Sequence, residues 1–253
     1  MMARAAIKAQ KADATAARLA GLSLPESGAW GREAREAALA RLTQMGLPHR
    51  RDEYWKFTDP TTLTSAEVTP AEVFDAQEAP LFDTVDAVRL VFVDGVFSPD
   101  LSSDLTEDGI EVERLSDAMA KDIHWAREVY GVLEARSHDK VSRPLAAFNT
   151  AYATDGVVIR VTRTPSRPVH LRYLHESETS DAILRHCVKV ENGASLTLLE
   201  NGPAAARFSK GLEVDVADGA AFHMIRAQGR DHQRRAATAT FARLGAESVS
   251  RPY

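Results

Sequence analysis

Cys187 is the one cysteine of the chain, and it follows His186 directly. A cysteine beside a histidine can act as a soft metal-ligand pair. An iron–sulfur cluster takes about four protein ligands, so this chain would share one at most. The plainer reading makes Cys187 a small side chain on a strand, with His186 at the surface. His170, His175, His223 and His232 show no metal-ligand spacing to one another. His124 sits inside a helical pattern and reads as a surface or half-buried residue. His223 lies between Phe222 and Met224 on an expected strand, where alternation points it away from the core, towards solvent or a partner. It and nearby Arg226 are the candidates for a pairing surface. There is no phosphate-binding glycine loop, no H-E-x-x-H, no C-x-x-C and no Gly-x-Ser-x-Gly elbow. No catalytic, cofactor-binding or metal residue is therefore assigned.

The elements that would position these residues change character along the chain. From about residue 155 the sequence breaks into short strand-like runs with turn residues between them. Gly193-Ala194, Gly219-Ala220 and Gly245-Ala246 recur every 26 residues. Val188 and Val190 fall one period before Val214 and Val216, and those one period before Thr240 and Ala242. A period in the range of about 20–50 residues marks a solenoid, a propeller or an array. Short strands and a glycine turn favour one coil of a β-helix, each coil burying its inward side chains on its neighbour. The glycine suits a turn with positive φ or a crowded stack. The segment 168–173 reads as an earlier coil, offset by one residue. In this register Asp215 falls beside Lys189 and Phe241, Glu213 beside Cys187 and Ala239, and Glu191 beside Ala217. No acidic column forms, which argues against a polysaccharide-cleaving β-helix enzyme.

The first half is helical in texture. Residues 32–45 place Ala34, Ala38, Leu39, Leu42 and Met45 near one face. Gly46 is expected as a left-handed C-cap, with Pro48 ending the helix. Ser23 and Glu26 have capping-box spacing. Residues 88–99 read as a hairpin with a primed turn at Asp94-Gly95. Residues 117–135 return to a helical pattern. Between these lies "GLPHRRDEYWKFTDP" (46–60), with Tyr54, Trp55 and Phe57 close together. It reads as a strap from the helices onto the body, with Trp55 and Phe57 as buried anchors. Arg51 or Lys56 would lie against an aromatic face. Asp59-Pro60 would start a short helix.

Composition narrows the classes further. The 253 residues are 44% hydrophobic and 26% charged, with a formal net charge of −5. That is a globular balance without the basic surface of a nucleic-acid binder. No apolar run approaches the roughly 18 residues of a membrane span. The N-terminus lacks a signal-peptide core and, rich in Ala, reads as a helix. One cysteine fits a reducing compartment, and the protein is expected to be cytoplasmic. The fold class expected is α+β: an N-terminal helical domain (1–85), a small strand/helix connecting unit (86–147), and a right-handed β-helix core (148–253) that is incomplete at its C-terminal end.

Five stretches in register carry a family resemblance. "GLPHRRDEYWKFTDP" resembles the N-terminal signature of the SufB/SufD family of iron–sulfur cluster assembly proteins, in the form its SufD members carry. "LVFVDGVFSPDLS" (90–102), "FNTAYATDGVVIRV" (148–161), "RHCVKVENGASLTLLE" (185–200) and "ARLGAESV" (242–249) are similar to its strand unit and successive core coils. The resemblance implies a non-catalytic scaffold subunit pairing with SufB-like and SufC-like proteins, with a homodimer as a further possibility. It implies that the SufC-like partner hydrolyses ATP and that the wider complex assembles the cluster, with no cofactor held by this chain alone. Family members are longer, and the C-terminal region that docks SufC and carries a cluster-proximal histidine has no counterpart here, so no cluster ligand is transferred. A truncated, non-functional fragment and a β-helix polysaccharide enzyme are the alternatives.

Overall fold

The computed structural model describes residues 2–73, 81–139, 141–229 and 233–252. Its helices α1 (Met2–Leu19), α2 (Ala29–Met45) and α3 (Thr61–Thr64) precede the first strands, β1 (Val88–Val93), β2 (Val96–Phe97) and β3 (Ile110–Arg114). Next come α4 (Leu115–Ala120), α5 (Val132–Arg136) and α6 (Pro144–Tyr152). The remaining strands are β4 (Val157–Val161), β5 (Val169–Leu174), β6 (Asp181–Val190), β7 (Ser195–Asn201), β8 (Arg207–Val216), β9 (Ala221–Ala227), β10 (Arg235–Leu244) and β11 (Val249–Pro252).

From β4 onwards successive strands alternate between two stacked walls. One runs β11-β9-β7-β5-β1-β2 and the other β10-β8-β6-β4-β3. Pairing between coils is parallel throughout. This is the expected mixed α+β chain, with helices followed by a β-solenoid. The strands of 88–114 belong to the same walls. β1 adds in parallel to β5, while β2 and β3 close that end antiparallel. The Asp94-Gly95 turn has φ of 48° and 85°, the positive pair that a primed hairpin turn requires.

Two apolar layers follow from the period-2 alternation. Leu90, Phe92, Ile159, Leu171, Val188, Leu198, Leu212, Val214 and Phe222 fill the lumen between the walls. Ile183, Cys187 and Val158, on the opposite face of their strands, pack beneath Trp30, Leu42, Met119, Tyr130 and Phe148 of the helical layer. β6 and β8 are thus buried on both faces, which gives them near-continuous apolar runs.

The repeat is real for one step and slips at the next. β6 pairs with β8, and β7 with β9, at a spacing of 26 residues, as Val188↔Val214 and Leu196↔Phe222 show. β8 pairs with β10 at 28, as Val214↔Ala242 shows, and β5 with β7 at 29. Two residues are added between β9 and β10, so Thr240 lies opposite Leu212 rather than Val214. The counterpart of Gly219 (φ 64°) is therefore Glu247 (φ 55°), and Gly245 has no positive φ. The slip from 26 to 28 is even, so the residues of β10 and β11 keep the alternation that the 26-residue period gives them.

Several local expectations are corrected. α2 starts at Ala29 with Gly28 as N-cap and no side-chain cap, so the capping-box spacing at Ser23 is unused. Instead Gly28 donates its N–H to Met119 O, and Ser27 Oγ accepts from Arg35. Gly46 has positive φ (64°) but an extended ψ of 158°, so the cap is not the left-handed helical one. Residues 117–135 form three short pieces: the end of α4, a 3₁₀ turn (Trp125–Glu128) and α5. Lys121 turns extended, and Gly131 turns left-handed at φ 72°.

Candidate functional site

His186 and Cys187 are neighbours on β6, and neighbours on a strand face opposite sides. They cannot close on one ion. Cys187 is fully buried under the helical layer, where burial and the nearby Glu213 push its thiol up against the weaker pull of Arg185. It is held as a thiol and is a poor nucleophile. His186 is not at the surface, because β6 has no solvent-facing side. Its Nδ1 accepts the Val157 N–H at 3.2 Å, and Nε2 lies 3.0 Å from Tyr173 Oη. Burial, then the charges of Lys210 and Arg185, hold it well below the ordinary imidazole range.

The outward face of the β6–β8 wall carries a buried ionic lock. Arg185 Nε donates to Glu213 at 3.2 Å, Nη1 donates to Asn149 Oδ1 at 3.0 Å, and the guanidinium lies over the Tyr130 ring. Nη2 stands 2.7 Å from Glu213 without an aligned hydrogen bond. Glu213 accepts the N–H groups of Gly131 at 2.6 Å and Glu134 at 2.8 Å, the start of α5. Glu134 in turn meets His138, Arg41 and Thr150. Gly211 makes room, since a Cβ there would stand 2.4 Å from Arg185 Nη1. Every polar group here serves to dock helices on the wall.

A second charged cluster faces the lumen. Lys210 and Glu200 form a fully buried ion pair. Arg226 Nε lies 3.6 Å from Glu200, and its Nη1 donates to Thr238 Oγ1 at 2.6 Å. Burial draws the Lys210 ammonium down against the attraction of Glu200. Arg226 therefore points inward, whereas it was expected with His223 on an exposed wall. His223 itself faces outward and is half-buried. Lys210 was overlooked in the sequence although it shares parity with Phe208, Leu212 and Val214, which is the one available signal that it points inward.

The strap is the largest departure. Phe57 is 90% exposed and Tyr54 70%, and Trp55 is half-buried. They are not anchors. Leu47 takes the core position, and the 3₁₀ turn Glu53–Trp55 has no buried residue. Polar contacts fix the strap instead, with Asp52 receiving Lys11 at 2.8 Å and the His49 N–H at 3.0 Å. Lys56 stands over the Phe57 ring, as expected of Lys56 or Arg51. Asp59 caps Thr61 at the start of α3. Tyr54 and Trp55 form one side of a groove of about 460 Å³, whose other sides are Leu145 and the β10 residues Ala236–Ala239.

His124 is buried, accepting the Ala126 N–H and stacking on Trp30. His170 bonds Asn201 at 2.8 Å, and His175 the Ser177 carbonyl. His232 lies outside the described residues. Among the described residues no three His, Cys, Asp or Glu side chains are grouped to hold a metal ion. Among the described residues no acidic column forms: Asp215 is flanked by Lys189 and Arg243 and paired to Arg243 at 2.6 Å. No described helix is long and apolar enough to cross a membrane.

A helical layer docked by buried ion pairs on a two-walled parallel solenoid defines the class of protein. The family model for the SufBD protein N-terminal region matches residues 26–169, more than half of the 253. The chain belongs to the SufBD family. It is 30% identical over 183 residues to an iron–sulfur cluster assembly SufBD family protein of Synechocystis sp., covering 66% of this chain and 38% of that one. It is 27% identical over 169 residues to the iron–sulfur cluster assembly protein SufD of Escherichia coli, covering 64% and 37%. The chain thus spans well under half the length of these curated relatives.

Proposed function

We propose that this chain serves iron–sulfur cluster assembly as a non-catalytic scaffold subunit in the cytoplasm, pairing with SufB-like and SufC-like proteins. Family membership over residues 26–169 carries the reading. Two relatives named for iron–sulfur cluster assembly support it. The SufC-like partner hydrolyses ATP, and the nascent cluster is the cargo of the complex rather than a resident group of this chain. The buried thiol of Cys187 and the hydrogen-bonded His186 fit a subunit that contributes surfaces.

Native mass spectrometry of the endogenous protein, purified anaerobically from its own cells, tests this. The expected result is a complex with SufB-like and SufC-like chains, with no stoichiometric iron left on the chain once it is separated. A separated chain that retains iron, hydrolyses ATP or cleaves a polysaccharide would overturn the proposal.

A further inference from the structure

We propose that the seam between α1 and the outward face of β8 binds one small monoatomic anion, chloride, between Arg18 and Ser209. This goes beyond the cluster-assembly reading and does not depend on it.

Charge specifies the ligand. Asp181 and Arg207 are partners at the starts of β6 and β8, and Arg207 grips Asp181 through Nε at 2.9 Å and Nη2 at 2.7 Å. Arg18, from the last turn of α1, donates its Nη2 to the same carboxylate at 2.6 Å. The two arginine side chains are only 5% and 4% exposed, so solvent does little to screen them. Among the described residues Asp181 is the one acid paired with either of them. Two buried cations share a single anion, and one positive charge is left uncompensated. The Ser65 and Glu67 carbonyls take up Arg207 Nη1, but neither supplies a full charge.

Hydrogen bonding locates it. Arg18 Nε is buried and, among the described residues, meets no acceptor. A buried N–H in that condition is costly. Phe148 covers one face of the guanidinium at 5.0 Å, which leaves its edge for an acceptor. Ser209 Oγ already accepts from Asn149 Nδ2 at 3.1 Å, so its hydroxyl proton is free to donate. Arg18 and Ser209 both line a cavity of about 10 Å³, with Leu145 and Phe148 among its apolar walls. That is room for one water or one small ion, and too little for phosphate or sulfate. A water would answer the Arg18 N–H and leave the charge unbalanced, whereas chloride does both. β10 borders the cavity through Ala237, which shares the outward parity of Ser209, so the edge of β10 takes no part.

Thermal melts and chloride NMR line widths of the chain test this, with sodium gluconate replacing sodium chloride at constant ionic strength. Raising chloride from about 1 to about 100 mM should raise the melting temperature by about 3 °C. The bound ion should also broaden the chloride resonance beyond its width in buffer. Arg18→Gln removes both the surplus charge and the Nε donor. Its melting temperature, wherever it lies, should no longer follow chloride, and the resonance should narrow to the buffer width. Ser209→Ala keeps Arg18 and its ion pair, serves if Arg18→Gln does not fold, and should weaken chloride binding at least about threefold. Equal melting temperatures in the two salts without line broadening would make the cavity a water site and overturn the proposal. Broadening that persists unchanged in both variants would overturn it too. Neither readout involves iron or a partner chain, so failure here and failure of the cluster-assembly reading are told apart.

Discussion

The first and the last described coils of the solenoid differ in how their outer strands are covered. At the β1–β3 end the walls are finished. β2 and β3 run antiparallel to their neighbours, and Phe97 packs edge-on against Phe92 at 5.6 Å. One buried carboxylate latches both walls there: Asp155 accepts the Phe97 N–H at 2.9 Å, its own neighbour's Gly156 N–H at 2.8 Å, and Arg114 at 3.0 Å. At the other end β10 and β11, the last described strands, pair in parallel with β8 and β9, and alternate residues of β10 are exposed along its inward face. The same strand chemistry gives a closed core where antiparallel strands cover it and exposed alternate residues on the last described strand.

Removing the latch should give the largest effect. Asp155→Ala leaves the buried Phe97 N–H without its acceptor and should cost about 2–3 kcal/mol. Urea denaturation measures this, and hydrogen exchange at Phe97 should rise towards the rates at β10. If exchange there is unchanged, Asp155 is not what closes that end. Acid should come next. An unfolded imidazole gains a proton as pH falls through 6.5, while burial keeps folded His186 neutral. The unfolded state then binds more protons, so stability is complete above 6.5 and falls below it, by up to about 1.4 kcal/mol per pH unit. Denaturation at pH 7 and 5.5 should show the loss, and His186→Gln, weaker at pH 7, should lose less between them.

Smaller effects compare successive coils. Glu247→Gly should stabilise the last described coil, and Gly219→Ala should destabilise the coil before it, by about 1 kcal/mol each in opposite directions. Matching signs in thermal melts would contradict the 28-residue register. The smallest effect should be at the strap. Phe57→Ser should shift stability by less than about 0.5 kcal/mol, whereas a buried anchor would lose several times that.

Alternation made the solenoid legible before any coordinates. Val188, Val190, Val214 and Val216 announce an inward column whatever the coil length, and an even slip leaves facing intact. For the same reason the slip itself was hidden: Gly245 mimicked the period while Glu247 took the turn. At β6 His186 shares parity with the lumen residues Val188 and Val190, so alternation places it inward against Tyr173 and Phe92, and a surface reading of it goes against the pattern. The strap misled for a different reason. Aromatic residues are usually buried for their area, and nothing in residues 50–58 encodes that Leu47 has already filled the core position. The lumen charges were visible as a lysine at an apolar parity, but their pairing joins Glu200, Lys210 and Arg226 from three strands.

The lock at Glu213 also sets an order of events during synthesis. Its carboxylate holds Gly131 and Glu134, residues 82 and 79 positions earlier in the chain. When α5 leaves the ribosome, the acceptor for its first N–H groups has yet to be translated. The start of α5 must therefore wait, with these N–H groups unanswered, until β8 emerges, although β4 and β6 can cover the apolar underside of the layer earlier. Such long-range closure slows folding and prolongs exposure of sticky intermediates, so the nascent chain has its greatest need of a chaperone in the interval between α5 and β8.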